Sequence, residues 1–267
     1  LSSALLPAKR RPAYGVTDWL VEDLLDNGQG LLEDMIATST ISHDGEIFVV
    51  PAHGAEPGQY ISKLGRVWMP RPRLNAAPEP WSQRLERLIG QLEQRLGPDL
   101  ILMDSRSGID SIASTCITDL GAALVLLFAI DGEQTWTGYR ILFEQWRDAG
   151  LAPKIRERLQ IVGAMVPEIG TVDYLLNLQE HSWDLFSSML YDEVPPGTTA
   201  EQLWNFAQDD ETAPHTPWTI RWNRGFAAMT NLHKQLQQID QDRLSAIFGP
   251  VNQGVAQALE QQELQDA

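Results

Sequence analysis

One cysteine, Cys116, in 267 residues excludes an internal disulfide framework and a cysteine-built zinc site, and it fits a reducing compartment. Lysine is nearly as scarce. None of Lys9, Lys63, Lys154 and Lys234 follows a glycine-rich loop, so these residues hold no phosphate-binding loop of the G-x-x-x-x-G-K-[ST] kind. His43, His53, His181, His215 and His233 show neither H-x-x-x-H nor H-E-x-x-H spacing, which argues against a histidine metal site. No apolar run approaches the roughly 18 residues of a membrane helix, so no membrane span is expected and a soluble, cytoplasmic chain is. Positive charge is short as well. Lys and Arg number 20 against 36 Asp and Glu, a net charge of −16, and a phosphate backbone would be repelled rather than bound. Lys9, Arg10 and Arg11 make a small basic patch. The chain opens at Leu1 with no signal-peptide pattern and reads as a piece of something longer.

What is present is an ordinary globular composition, 43% hydrophobic and 21% charged, in a length that buries a real core. Periodicity predicts a helix from about Thr17, capped by Thr17 or Asp18, and a short strand over Glu46–Val50. A further short helix is predicted over Tyr60–Trp68. Pro70 to Pro80 reads as a connection. Trp81, Leu85, Leu88, Ile89, Leu92 and Leu96 then mark an amphipathic helix, with Arg84, Glu86, Arg87, Glu93 and Arg95 on its other face and Gly97-Pro98 as its stop.

Two nearly continuous apolar runs follow, Leu100–Met103 and Ala122–Ile130, each ending on an aspartate, Asp104 and Asp131. Such runs fit strands buried on both faces, as in parallel sheets covered by helices. Helical patterns over 132–150 and 172–190 alternate with a further buried run, Leu159–Val166. Residues 192–217 read as a long surface insertion, Trp218–Trp222 as a last strand, and 226–248 and 255–264 as helices. Alternating strands and helices of this kind predict an α/β fold with a mostly parallel twisted sheet and helices on both faces.

Asp104-Ser105-Arg106-Ser107-Gly108 carries the clearest chemistry. A carboxylate at a strand's C-terminal end can hold a Mg²⁺-bound water, and a glycine four residues on lets a backbone N–H approach a phosphate. The alternative is that Asp104 caps the following turn. Ligands in open α/β sheets bind at that edge.

Residues 98–147 resemble the second half of the ParA/MinD-like ATPases, whose phosphate loop reads K-G-G-x-G-[KR]-[ST]. Leu1–Pro7 and Gly45–Gly54 are similar to further segments of that family. The resemblance covers roughly residues 1 to 167, and it implies a P-loop NTPase-like fold in which the first strand, phosphate loop, first helix and second strand precede Leu1. It also implies ATP and Mg²⁺ as cofactors. Asp104 would hold the metal through water, Ser105 and Gly108 would belong to the nucleotide site, and Ser105 to Asp110 would be a switch. The implied protein is a bacterial, cytoplasmic ATPase that forms a homodimer on nucleotide binding. Residues 1–250 would form its α/β domain and 251–267 a polar C-terminal helix. By itself this chain is expected not to turn ATP over. The family's Asn-Arg after the third of these strands is replaced by Pro167-Glu168, which leaves adenine recognition open.

A degenerate ATPase fold that holds a protein partner through Trp-rich and acidic surfaces is the alternative, and another α/β enzyme using Asp104 as acid or base is a third. Asp131 is expected to cap the following helix. His53 is the histidine of most interest, because its loop should share a sheet edge with Asp104. Cys116 reads as a buried helix residue and Arg106 as a loop arginine. The stretch Trp218–Arg224 suits either a nucleotide edge or a partner surface.

Overall fold

The computed structural model describes residues 2–42, 44–105, 117–195, 203–227 and 240–266. The chain divides into two compact units, one from Leu1–Asp104 and the other from Ser105–Ala228 and Asp240–Ala267.

In the first unit, helix α1 (Val16–Glu22) buries Trp19, Leu20 and Val21. Its N-cap is Gly15 rather than Thr17 or Asp18, and Asp18 accepts the Gly15 N–H at 2.8 Å while pairing with Lys63 Nζ at 2.6 Å. A carboxylate in the first turn also suits the helix dipole. Gly15 has to be glycine, since a Cβ there would run into Pro51 and His53 backbone atoms. Strands β1 (Ala37–Thr38) and β2 (Phe48–Val49) form a small antiparallel pair. Helices α2 (Tyr60–Val67) and α3 (Trp81–Leu96) follow the sequence reading closely. Gly97, at φ 53°, ends α3 in the left-handed conformation that glycine adopts at little cost.

Two expectations for this unit fail. Leu100–Met103 forms no strand, and its side chains are 42–76% exposed. A strand exists only as part of a ladder, and the described residues of this unit offer that segment no partner. Arg84, assigned by pattern to the solvent face of α3, is fully buried. Its Nε–H donates to Asp23 Oδ2 at 2.9 Å, and its terminal nitrogens donate to Met69 O at 2.8 Å and to the Leu20 carbonyl. Arg87 reaches both oxygens of Asp23 at 2.9–3.0 Å and also Glu79. Glu79, itself buried, exchanges two backbone bonds with Arg71. The proline-rich connection is thus pinned into a closed loop.

The second unit holds a three-stranded parallel sheet in the order β3 (Val125–Ala129), β4 (Leu159–Val166), β5 (Trp218–Arg221). Helices α4 (Glu133–Asp148) and α5 (Thr171–Met189) pack on one face, where Leu127, Ala129 and Ile161 join Phe143, Trp146, Leu178 and Phe186 in one cluster. Val162 lies level with Trp218 and so shares its face, the opposite one. There the Trp218 indole rests against Gly254 of helix α6 (Gln241–Asp266). The mixed α/β architecture with a parallel sheet is therefore present, with helices on both faces. No helix among the described residues is long and apolar enough to cross a membrane. The described end of the chain is continuous helix from Gln241 to Asp266, without a break at 251. Residues 203–217 also depart from the surface-insertion reading: Ala213 and His215 are buried, and Trp204 and Phe206 ring Tyr191 at 5.1 and 5.5 Å.

The buried network of the first unit makes a prediction. Burial pushes the Asp23 carboxyl up, but hydrogen bonds from Arg87 and Arg84 outweigh it and hold the group below its ordinary 3.8. Its contribution to stability is complete above pH 3.8 and is lost as pH falls through the lower folded value. Asp23→Asn should cost about 3–5 kcal/mol, because Arg84 keeps its charge in a buried site. Urea unfolding at pH 7 measures the loss, and an acid titration of stability should show a shallower slope in the variant. A loss under about 1 kcal/mol would contradict the network's role.

Candidate functional site

The C-terminal ends of the three parallel strands open onto one cleft of about 800 Å³. Ile130 enters it directly after β3. From β4 come Met165 and, just beyond the strand, Pro167, Glu168 and Ile169; from β5 come Trp222 and Arg224. The chain reaches these positions through a local distortion. The pairing of β4 with β5 shifts between Gly163 and Val166, and Met165 sits at φ 58°, a left-handed conformation that costs a non-glycine residue about 1–2 kcal/mol. A bulge of this kind redirects a side chain at the end of a strand, and Met165 is accordingly exposed.

The rim is held by specific bonds. Trp222 N–H donates to Val166 O at 2.8 Å, extending the β4–β5 connection past the last paired residues. Thr171 Oγ1 donates to Pro167 O at 2.7 Å and fastens the β4–α5 loop. Asn223 Oδ1 accepts the Phe226 N–H at 3.2 Å and closes the turn that carries Arg224. The walls are largely apolar. Glu168 and Arg224 are the charged groups of the lining, and neither side chain bonds another described residue. An apolar cleft with a few convergent polar groups at the carboxyl edge of a parallel sheet is the usual form and place of a ligand site in this architecture.

Asp131 does not cap α4, whose N-cap is Gly132. Its Oδ1 instead accepts from Trp136 Nε1–H at 2.8 Å and bonds His181 Nδ1 at 2.8 Å, while its own N–H donates to Tyr174 Oη at 2.9 Å. The aspartate is a tie between the end of β3, α4 and α5. His181 was missed as its partner because fifty positions separate them and no local pattern links them.

Asp104 is exposed at the end of the first unit and follows no strand, so the expected strand-end carboxylate is absent there. Ser105 is exposed. Gly108, Arg106, Asp110 and Cys116 lie outside the described residues, as do His43 and His233. His53 has no shared sheet edge to face, since 100–103 is not a strand. Its Nδ1 bonds Gly54 O at 2.8 Å and its ring tilts against Tyr60. No group of three or more potential metal ligands occurs among the described residues. Mg²⁺ needs fewer, because it keeps several waters and takes one or two carboxylates with substrate phosphates. Comparison with family models, with curated proteins and with solved structures finds no match for this chain.

His215 is fully buried and packs against Tyr191. Nε2–H donates to Gln208 O at 3.2 Å, which leaves Nδ1 to accept from Tyr191 Oη–H at 2.5 Å. Burial holds its pKa below 6.5, against opposing contributions from Gln208 O and Asp210. A histidine kept neutral in the fold but free to protonate when unfolded costs stability as pH drops below 6.5, until the folded value is reached. Stability should therefore fall between pH 7 and 5, with a smaller decline in His215→Gln. Thermal unfolding across that range measures it, and identical slopes in the two proteins would contradict the assignment.

Proposed function

We propose that this chain carries the base-side part of a nucleotide site in a ParA/MinD-like nucleoside triphosphatase. In its intact form that protein would bind and hydrolyse a nucleotide with Mg²⁺ to switch a homodimer or a partner interaction. ATP is the nucleotide the resemblance implies. The observation that supports the reading best is the cleft at which β3, β4 and β5 end together, with an indole in its lining and two charges that pair with no described residue. By the resemblance alone, Asp104 and Ser105 would contribute Mg²⁺-water and phosphate contacts in the intact protein; neither lines this cleft. Catalysis in such a site is positioning and charge stabilisation on the phosphates.

A second reading has an observation of its own. Ile169, in the cleft lining, is 91% exposed, and Val172 and Leu176, in the first turns of α5, are 71 and 60% exposed. Such a stripe suits a protein partner, and with it a degenerate ATPase fold that no longer turns nucleotide over.

Titration with methylanthraniloyl-ATP separates the two. Energy transfer from tryptophan to the bound label should appear and saturate, and Trp222→Ala should weaken binding about tenfold, the loss of one base-stacking contact. No transfer up to millimolar label, or binding indifferent to Trp222→Ala, would remove the nucleotide reading and leave the partner surface.

A further inference from the structure

The geometry points to guanine, rather than adenine, as the base this cleft selects, with Glu168 as the residue that sets the preference. The inference rests on the nucleotide reading and deepens it. Its starting point is the pair of charged groups in an otherwise apolar lining. A carboxylate can only accept hydrogen bonds and a guanidinium can only donate them.

The base edges answer those two groups differently. Guanine offers two adjacent donors, N1–H and N2–H₂, which a carboxylate can accept with both oxygens. It also offers two adjacent acceptors, O6 and N7, which match a guanidinium fork. Adenine offers the carboxylate one donor, N6–H₂, and sets the N1 lone pair beside the second oxygen, where two acceptors repel. Cytosine likewise offers one donor group beside an acceptor nitrogen, and uracil one N–H between two carbonyls. Guanine alone satisfies Glu168 with two bonds and still leaves acceptors for Arg224.

Four features of the site support this use. Glu168 and Arg224 come from different strand ends, Glu168 after β4 and Arg224 after β5, and both line the same cleft. Both are exposed, and neither is consumed by an ion pair with a described residue. Trp222, two residues before Arg224, supplies an aromatic face in the same lining on which a purine can stack. Pro167, which precedes Glu168, has a fixed φ, and its carbonyl is held by Thr171 at 2.7 Å. The carboxylate therefore leaves the chain from a fastened loop.

The test compares methylanthraniloyl-GDP with methylanthraniloyl-ADP on the full chain and on Glu168→Gln and Arg224→Gln. Circular dichroism checks that each variant is folded, as substitutions at exposed positions should leave it. The wild-type chain should bind the GDP probe about tenfold more tightly, the value of one additional bond to a charged group. Glu168→Gln should bring the two probes close together, and Arg224→Gln should weaken the GDP probe more than the ADP probe. Equal or tighter ADP binding, or a GDP preference untouched by Glu168→Gln, would overturn the guanine assignment and leave the nucleotide site standing. Failure of both probes to bind would overturn the nucleotide reading and this inference together.

Discussion

Everything in the second unit is positioned by β4. It is hydrogen-bonded to β3 on one side and β5 on the other, and Leu159 to Gly163 are buried without interruption. At Gly163 the absence of a side chain lets the Leu178 methyl of α5 sit where a Cβ would stand. Helix and strand therefore approach closely at that point. The same strand then breaks register, turns through Met165 and releases Pro167 and Glu168 into the cleft. The base of the sheet is also secured, since Arg158, at the foot of β4, donates to Ala122 O at 2.9 Å ahead of β3. The cleft follows from the way one strand is buried at its middle and distorted at its end.

Electrostatics divides the charged groups into two kinds. Asp23, Glu79, Arg84 and Arg87 satisfy one another inside the first unit, and Asp192 and Arg156 do so at 2.6 and 3.0 Å in the second. Such groups resist removal, because deleting one member leaves its partner charged and desolvated. Glu168 and Arg224 belong to the other kind: they line a cleft and bond no described side chain. A charge already satisfied has little to give a ligand.

The regular elements were legible because their patterns are local. β4 appears at the bounds its apolar run suggests, and α2, α3 and α5 begin and end within a residue or two of the periodic reading. Arg84 was misread because helical spacing cannot distinguish a solvent-facing arginine from one facing a buried aspartate sixty-one positions away. Leu100–Met103 was misread because an apolar run signals burial only where a ladder is available to receive it. The tie between Tyr191 and His215 was invisible for the same reason as the partnership of Asp131 with His181. The stretch Trp218–Arg224 did stand out, and two of its residues line the cleft. Pro167 and Glu168 were marked only as a departure from the resembled family, and Ile130, Met165 and Ile169 carry no motif and join the lining only through strand order.

The two aspartates that end apolar runs show why a sequence position alone does not define a role. Asp131 does follow a buried parallel strand, as the ligand-edge rule requires. Yet its carboxylate is turned to Trp136 and His181, and its N–H to Tyr174, so its bonding serves to join two helices to a strand end. Asp104 has the more suggestive sequence around it and no strand before it. Whether a strand-end carboxylate reaches a ligand depends on the helices that follow. Where they supply an indole N–H and an imidazole, the carboxylate is spent on the fold. The charged groups one strand over, Glu168 and Arg224, bond no described side chain.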